Sequence, residues 1–190
     1  RTLERSFDLA GLGVGANAGA EALAITREGY VIVGLETREG GRSPVSARPL
    51  EGPAEFGLRV ARGAPELVGL DALPAGRDGR DVRLFSLHRG ADRLLGSPIE
   101  IHETRLTRSH DGGGPARVSS EIEERRHAVF AAGEMRRLAQ MSLVLTIDNY
   151  EGIAAREMPD GTVRLFVVSD DNFSPRQRTL LMVFDLPPQR

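Results

Sequence analysis

Short apolar runs, punctuation by 22 Gly and 11 Pro, and a hairpin unit that recurs three times predict an all-β fold. The regular strand-turn-strand repeat narrows this to a partial β-propeller, about three four-stranded blades amounting to roughly half of a closed ring. The 190 residues, 40% of them apolar, are enough for a real core and are expected to form a single propeller segment over residues 1–190.

The repeat unit reads acid, small residue, aliphatic, small residue, a turn ending in Gly, then a β-branched or aromatic run. Its first copy is Gly19-Ala20-Glu21-Ala22-Leu23-Ala24, a turn at Glu28-Gly29, and Tyr30-Val31-Ile32-Val33-Gly34-Leu35 ending at Glu36. The second is Gly69-Leu70-Asp71-Ala72-Leu73-Pro74, a turn at Arg77-Asp78-Gly79, and Val82-Arg83-Leu84-Phe85-Ser86-Leu87. The third is Asn149-Tyr150-Glu151-Gly152-Ile153-Ala154, a turn at Pro159-Asp160-Gly161, and Val163-Arg164-Leu165-Phe166-Val167-Val168, followed by Ser169-Asp170-Asp171. A Gly at the end of each turn supplies the positive φ that a tight hairpin requires, and the small residues let neighbouring backbones approach.

Ile99 to Leu106 and Thr179 to Phe184 alternate or run apolar and are expected to add third and fourth strands. Residues 38–53, rich in Gly, Pro, Ser and Arg, read as a surface loop. Residues 108–132 read as an insertion, with helical spacing through Ile122, Val129 and Phe130 over 121–132 and Gly133 as its stop. An open array of this kind leaves apolar faces on its first and last sheets, so an N-terminal half or a second copy is expected to complete it. The chain opens on Arg1 rather than Met, which predicts residues ahead of it.

Composition removes several functions. Zero Cys excludes a disulfide framework, a Cys-based zinc site and a Cys nucleophile, and leaves oxygen or imidazole ligands for any metal. A net charge of −2 with interspersed signs offers no basic stripe, and 5% aromatics are too few for a stacking platform, which argues against nucleic acid. The apolar runs at Leu143 to Leu145 and Leu180 to Phe184 are far short of the ~20 residues of a membrane span. All basic residues are Arg, as a GC-rich coding bias produces. His88, His102, His110 and His127 lack metal-ligand spacing, and Gly11-Leu12-Gly13-Val14-Gly15 lacks the strand-then-helix context of a dinucleotide fingerprint.

The acids carry the chemical interest. In a propeller the start of each innermost strand lies near the channel mouth, so Glu21, Asp71 and Glu151 are expected to converge. Convergent carboxylates repel unless a hard cation such as Ca²⁺ sits among them or some are protonated. Glu36 and Asp170-Asp171, after the first and third hairpins, extend that oxygen-rich surface, whereas the middle unit carries Leu87-His88-Arg89 there. The densest polar run, Ser169 to Arg178, has two readings. One is an elaborated turn in which Asp and Asn accept backbone hydrogens while Arg176 and Arg178 pair with acids; the other is a cation site beside guanidinium groups able to grip phosphate or carboxylate.

The segment Asp148-Asn149-Tyr150-Glu151-Gly152-Ile153-Ala154, with Asp160-Gly161, Val167-Val168-Ser169-Asp170-Asp171-Asn172-Phe173-Ser174 and Gln177-Arg178-Thr179-Leu180-Leu181, closely resembles the C-terminal signature of the phytase-like domain, also described as esterase-like activity of phytase. Asn17-Ala18-Gly19-Ala20-Glu21-Ala22-Leu23-Ala24 resembles an earlier motif of the same domain. The resemblance spans nearly the whole chain but only the C-terminal half of the usual domain. It implies a β-propeller of bacterial exported proteins, placed in the periplasm or outside the cell, that hydrolyses phosphoesters with calcium. On that basis Glu21, Asp71, Glu151, Asp170 and Asp171 are the expected cation ligands. Arg178, with Asn172 and Arg176, is expected to meet a small phosphorylated or ester substrate. The rival expectation is a non-catalytic propeller module that binds a ligand or protein partner at its channel face.

Overall fold

The computed structural model describes residues 19–35, 43–49, 58–60, 65–90, 98–108, 130–141 and 148–188. These residues contain no helix and form three antiparallel sheets in chain order. The first comprises β1 (Ala20–Ile25), β2 (Tyr30–Leu35), β3 (Ser43–Pro49) and β4 (Leu58–Val60). The second comprises β5 (Glu66–Ala75), β6 (Asp81–Arg89), β7 (Ile99–Arg108) and β8 (Phe130–Met141). The third has three strands, β9 (Asn149–Glu157), β10 (Val163–Asp170) and β11 (Leu181–Leu186).

Each sheet is a meander in which consecutive strands pair, the arrangement of a propeller blade. The three predicted hairpins are β1–β2, β5–β6 and β9–β10. Their turns close on Gly29, Gly79 and Gly161 with φ of 81°, 71° and 80°, conformations that a Cβ would strain. Ile99 to Leu106 and the run ending at Phe184 form β7 and β11 as expected.

The sheets stack through their first strands, β1 against β5 and β5 against β9. Alternation then fills two cores. Ala22, Ala24 and Ile32 of the first sheet meet Leu70, Leu84 and Phe130 of the second. The opposite face of the second sheet sends Phe85, Leu87 and Ile101 against Tyr150, Leu165 and Val167 of the third. Each Leu, Ile, Val or Phe among them contributes about 1.5–3 kcal/mol when fully buried. Close approach at the first strands depends on small residues: a Cβ on Gly69 would meet Ile153 Cγ2 at 3.2 Å and the Glu151 carbonyl oxygen at 3.3 Å. The far faces of the array do expose apolar side chains, Leu23 and Ile25 on β1 and Val168, Leu181 and Val183 on the third sheet.

Two sequence expectations are corrected. Residues 38–53 are not loop throughout, since Ser43–Pro49 is β3, where Val45 and Ala47 are buried in the first core. The helix over 121–132 does not extend to its predicted end: Phe130 to Ala132 and the supposed stop Gly133 all lie inside β8, paired with β7. Arg108 is the last residue of β7, and residues 109–129, among them His110 and His127, lie outside the described residues together with Glu36, Gly11 to Gly15, Asn17 and Ala18.

Candidate functional site

The three inner strands share one irregularity at the same end. Pairing skips Glu21 between Ala20 and Ala22, Val68 between Leu67 and Gly69, and Glu151 between Tyr150 and Gly152. Each is a β-bulge, which re-aims one side chain out of the ladder. In register, therefore, the middle counterpart of Glu21 and Glu151 is Val68. Asp71, three residues farther on, aligns with Ala24 and Ala154. The sequence alignment of the middle repeat is corrected by that slip, and three carboxylates do not occupy equivalent places.

Asp71 is spent on holding sheets together. Its Oδ1 accepts the Ala72 N–H at 2.8 Å, and its Oδ2 accepts the Ala155 N–H of β9 at 2.6 Å. Glu21 is exposed on its bulge. Glu151 stands in a polar cluster instead. Its Oε1 accepts from Arg89 Nη1 at 2.7 Å and from Asn149 Nδ2 at 2.5 Å, and Arg89 also donates to Asn149 Oδ1. Arg89 pairs across its hairpin with Glu66, in the register position that Asp170 holds opposite Asn149 in the third sheet. The middle blade thus answers its neighbour's acid with a guanidinium. Among the described residues Glu151 Oε2 has no partner, and 43% of the Glu151 side chain is exposed.

The polar run after β10 adopts the elaborated-turn reading. Asp170 Oδ1 accepts the Asn172 N–H at 3.2 Å, and Asp171 Oδ1 accepts the Phe173 N–H at 2.9 Å. Asn172 Nδ2 donates to Gln177 Oε1 at 3.2 Å. Arg178 is tied to the base of β9: its backbone N–H donates to Asp148 Oδ2 at 2.7 Å, with its Nε 4.0 Å from the same oxygen. Arg176 is exposed, and its backbone N–H donates to Ser174 Oγ at 3.3 Å. This loop therefore lies at the Glu151 end of the third sheet. Tyr150, next to Glu151, is buried, and burial raises its phenol above the ordinary range with the Asp148 charge adding to the effect.

A calcium ion takes six to eight oxygens from converging groups. Among the described residues no set of three or more His, Asp or Glu side chains is placed to hold a metal ion. Asp71, Asp170 and Asp171 moreover direct carboxylate oxygens at backbone amides. The five expected ligands do not fit calcium as they stand.

Two features escaped the sequence reading. Arg89 was visible only as a break in the acid pattern, although charge complementarity to Glu151 was the available signal. The second is a buried group in the middle sheet, Ser86, His88, Glu100 and His102. His88 Nε2 lies 2.9 Å from Ser86 Oγ, His102 Nε2 lies 2.7 Å from Glu100 Oε2, and the two rings meet edge to face with centroids 5.0 Å apart. The polar residues at every second position of β6 and β7 were its signal. On the other face of β7, burial alone would raise Glu103, but hydrogen bonds from Arg136 and Arg83 hold its carboxyl below the ordinary range.

A family model described as phytase-like, esterase-like activity of phytase, matches residues 2–173. No curated protein and no solved structure matches the chain. The match takes in all three bulged hairpins and extends into the loop that begins after Asp170, and by it the chain belongs to the phytase-like family.

Proposed function

We propose that the chain is a hydrolase for esters of small anionic molecules, phosphoesters first among them, acting at the rim formed by Glu151, Arg89 and Asn149. The observation that carries this reading is the Glu151 carboxylate, gripped through one oxygen by Arg89 and Asn149 on a side chain that is 43% exposed. Family membership supports ester hydrolysis as the reaction class.

In this reading Arg89 and Asn149 fix the rotamer of Glu151, and Oε2 removes a proton from an attacking water. The new bond forms between water oxygen and phosphorus or acyl carbon, the ester bond breaks, and the proton returns from Glu151 to the leaving oxygen. General base and acid work of this kind is worth about 10²–10⁴-fold. Arg178, with a side chain 62% exposed, supplies positive charge on the same side of the third sheet. No step is routed through a metal.

The test is steady-state hydrolysis of p-nitrophenyl phosphate and p-nitrophenyl acetate by wild type and Glu151→Gln. A fall in kcat of at least about 100-fold, with EDTA leaving wild-type rates unchanged, is expected. Unchanged kcat in Glu151→Gln overturns the assignment, and loss of wild-type activity in EDTA overturns its metal-free form. Tight binding of a phosphonate without turnover favours the rival, a binding module.

A further inference from the structure

We infer that Phe173 and Arg176, at the tip of the loop after β10, form an arm that receives the apolar or aryl body of the ester whose anionic group reaches the Glu151 rim; this rests on the hydrolase reading.

A lone exposed aromatic is ordinary on a protein surface. Phe173 is not ordinary. It is fully exposed and sits at φ 53°, immediately after Asn172 at φ 49°. Asn tolerates the left-handed region, whereas a bulky aromatic there is an outlier that survives only where its surroundings impose it.

The surroundings are specific. Asp171 holds the strained residue from both sides, its Oδ1 accepting the Phe173 N–H at 2.9 Å and its carbonyl accepting the Ser174 N–H at 2.7 Å. The Gln177 N–H donates to the Ser174 carbonyl at 3.1 Å, which closes a second turn. At the stem, buried Ser169 donates to the Arg178 carbonyl at 2.7 Å and accepts the Leu180 N–H at 2.8 Å. A braced loop that spends this much bonding to hold one ring in water is preorganised for contact, because the ordering entropy of the ring's backbone is already spent before a ligand arrives. Arg176, whose side chain makes no bond among the described residues, stands three residues along the same tip.

The loop is also joined to the rim. Asp170, the last residue of β10 before it, pairs with Asn149, which bonds Glu151; its return residue Arg178 bonds Asp148, the residue before Asn149. An ester with its anionic end at Arg89 and Glu151 can therefore lay its body along this loop. A phenyl ring gains from an aromatic neighbour where a methyl group does not.

Calorimetric titration with phenylphosphonate and with methylphosphonate tests this without requiring turnover. Wild type is expected to prefer phenylphosphonate, and Phe173→Ala to lose about three- to tenfold of that preference while Phe173→Tyr restores it. Phe173→Gly should raise the melting temperature, since glycine takes the left-handed conformation freely. No phenyl preference in wild type, an unchanged preference in Phe173→Ala, or a lower melting temperature in Phe173→Gly overturns the inference. Glu151→Gln kinetics answer separately for the hydrolase reading, so that either can fail alone.

Discussion

The bulge of the middle inner strand and the bulges of its two neighbours have the same backbone and opposite contents. Glu21 and Glu151 emerge into solvent, whereas Val68 is 5% exposed and packs with Phe85 and Leu87. One hairpin geometry thus serves the rim in two blades and the core in the third. At the paired strand end the exchange runs the other way, with Arg89 in the middle blade where the third has Asp170. Among the described residues the result is a carboxylate paired with a guanidinium at the β5–β9 seam rather than three acids in equivalent places.

Placing an acid in the middle bulge is the severest way to break this comparison. Val68→Glu buries a carboxylate among Phe85, Leu87 and Val167 and is expected to cost on the order of 3–5 kcal/mol. The reciprocal Glu151→Val, at an exposed rim position, should change stability by less than about 1 kcal/mol. Urea unfolding of both variants measures the contrast; equal costs would mean that the two bulges are not opposites.

Asp71 gives the next largest effect. If it is a tie between sheets rather than a member of a site, Asp71→Ala strands the Ala155 and Ala72 amides and costs about 1–3 kcal/mol, while Asp71→Asn keeps one acceptor and costs less. Hydrolysis by the folded Asp71→Asn variant should match wild type. A large loss of kcat with stability intact would return Asp71 to the chemistry.

The turns and hairpins were legible because their signals are local. Gly29, Gly79 and Gly161 need positive φ whatever surrounds them, and β-branched runs such as Tyr30 to Leu35 suit a pleated surface. The middle register was not legible, since Gly69-Leu70-Asp71-Ala72 imitates the acid-headed motif and only pairing with β6 reveals that the bulge falls at Val68. Strand β3 hid behind Pro44 and Pro49, and its burial comes from the neighbouring sheet, which no local pattern reports. Strand β8 holds Ala131, Ala132, Glu134, Met135, Arg136 and Arg137, good helix formers overridden by pairing with β7. The acids of the candidate site could be named from sequence, but their work depends on partners that are distant in the chain: Glu151 on Arg89, Asp71 on Ala155, and Arg178 on Asp148.

The middle sheet differs from its neighbours in one more way, and it carries the smallest predicted effect. Among the described residues, only there do two buried histidines meet. His88 Nδ1 faces the Pro65 carbonyl, so it carries the proton and Nε2 accepts from Ser86. His102 directs Nε2 at Glu100, which leaves Nδ1 buried with no partner among the described residues. Burial lowers the His102 pKa below 6.5, outweighing the Glu100 hydrogen bond and charge that raise it, while Arg137 adds to the lowering. The folded protein thus resists a proton that the unfolded chain accepts near 6.5, so stability is fully present above that pH and declines as pH falls from it towards the lowered folded value. Glu103, also held low, loses its contribution in a separate window as pH falls below 4.5. Urea midpoints measured from pH 8 to pH 4 should therefore decline first below about 6.5, and His102→Gln should flatten that first decline while keeping the second. A first decline unchanged in His102→Gln would assign it to another group and leave the middle sheet distinguished by Val68 and Arg89 alone.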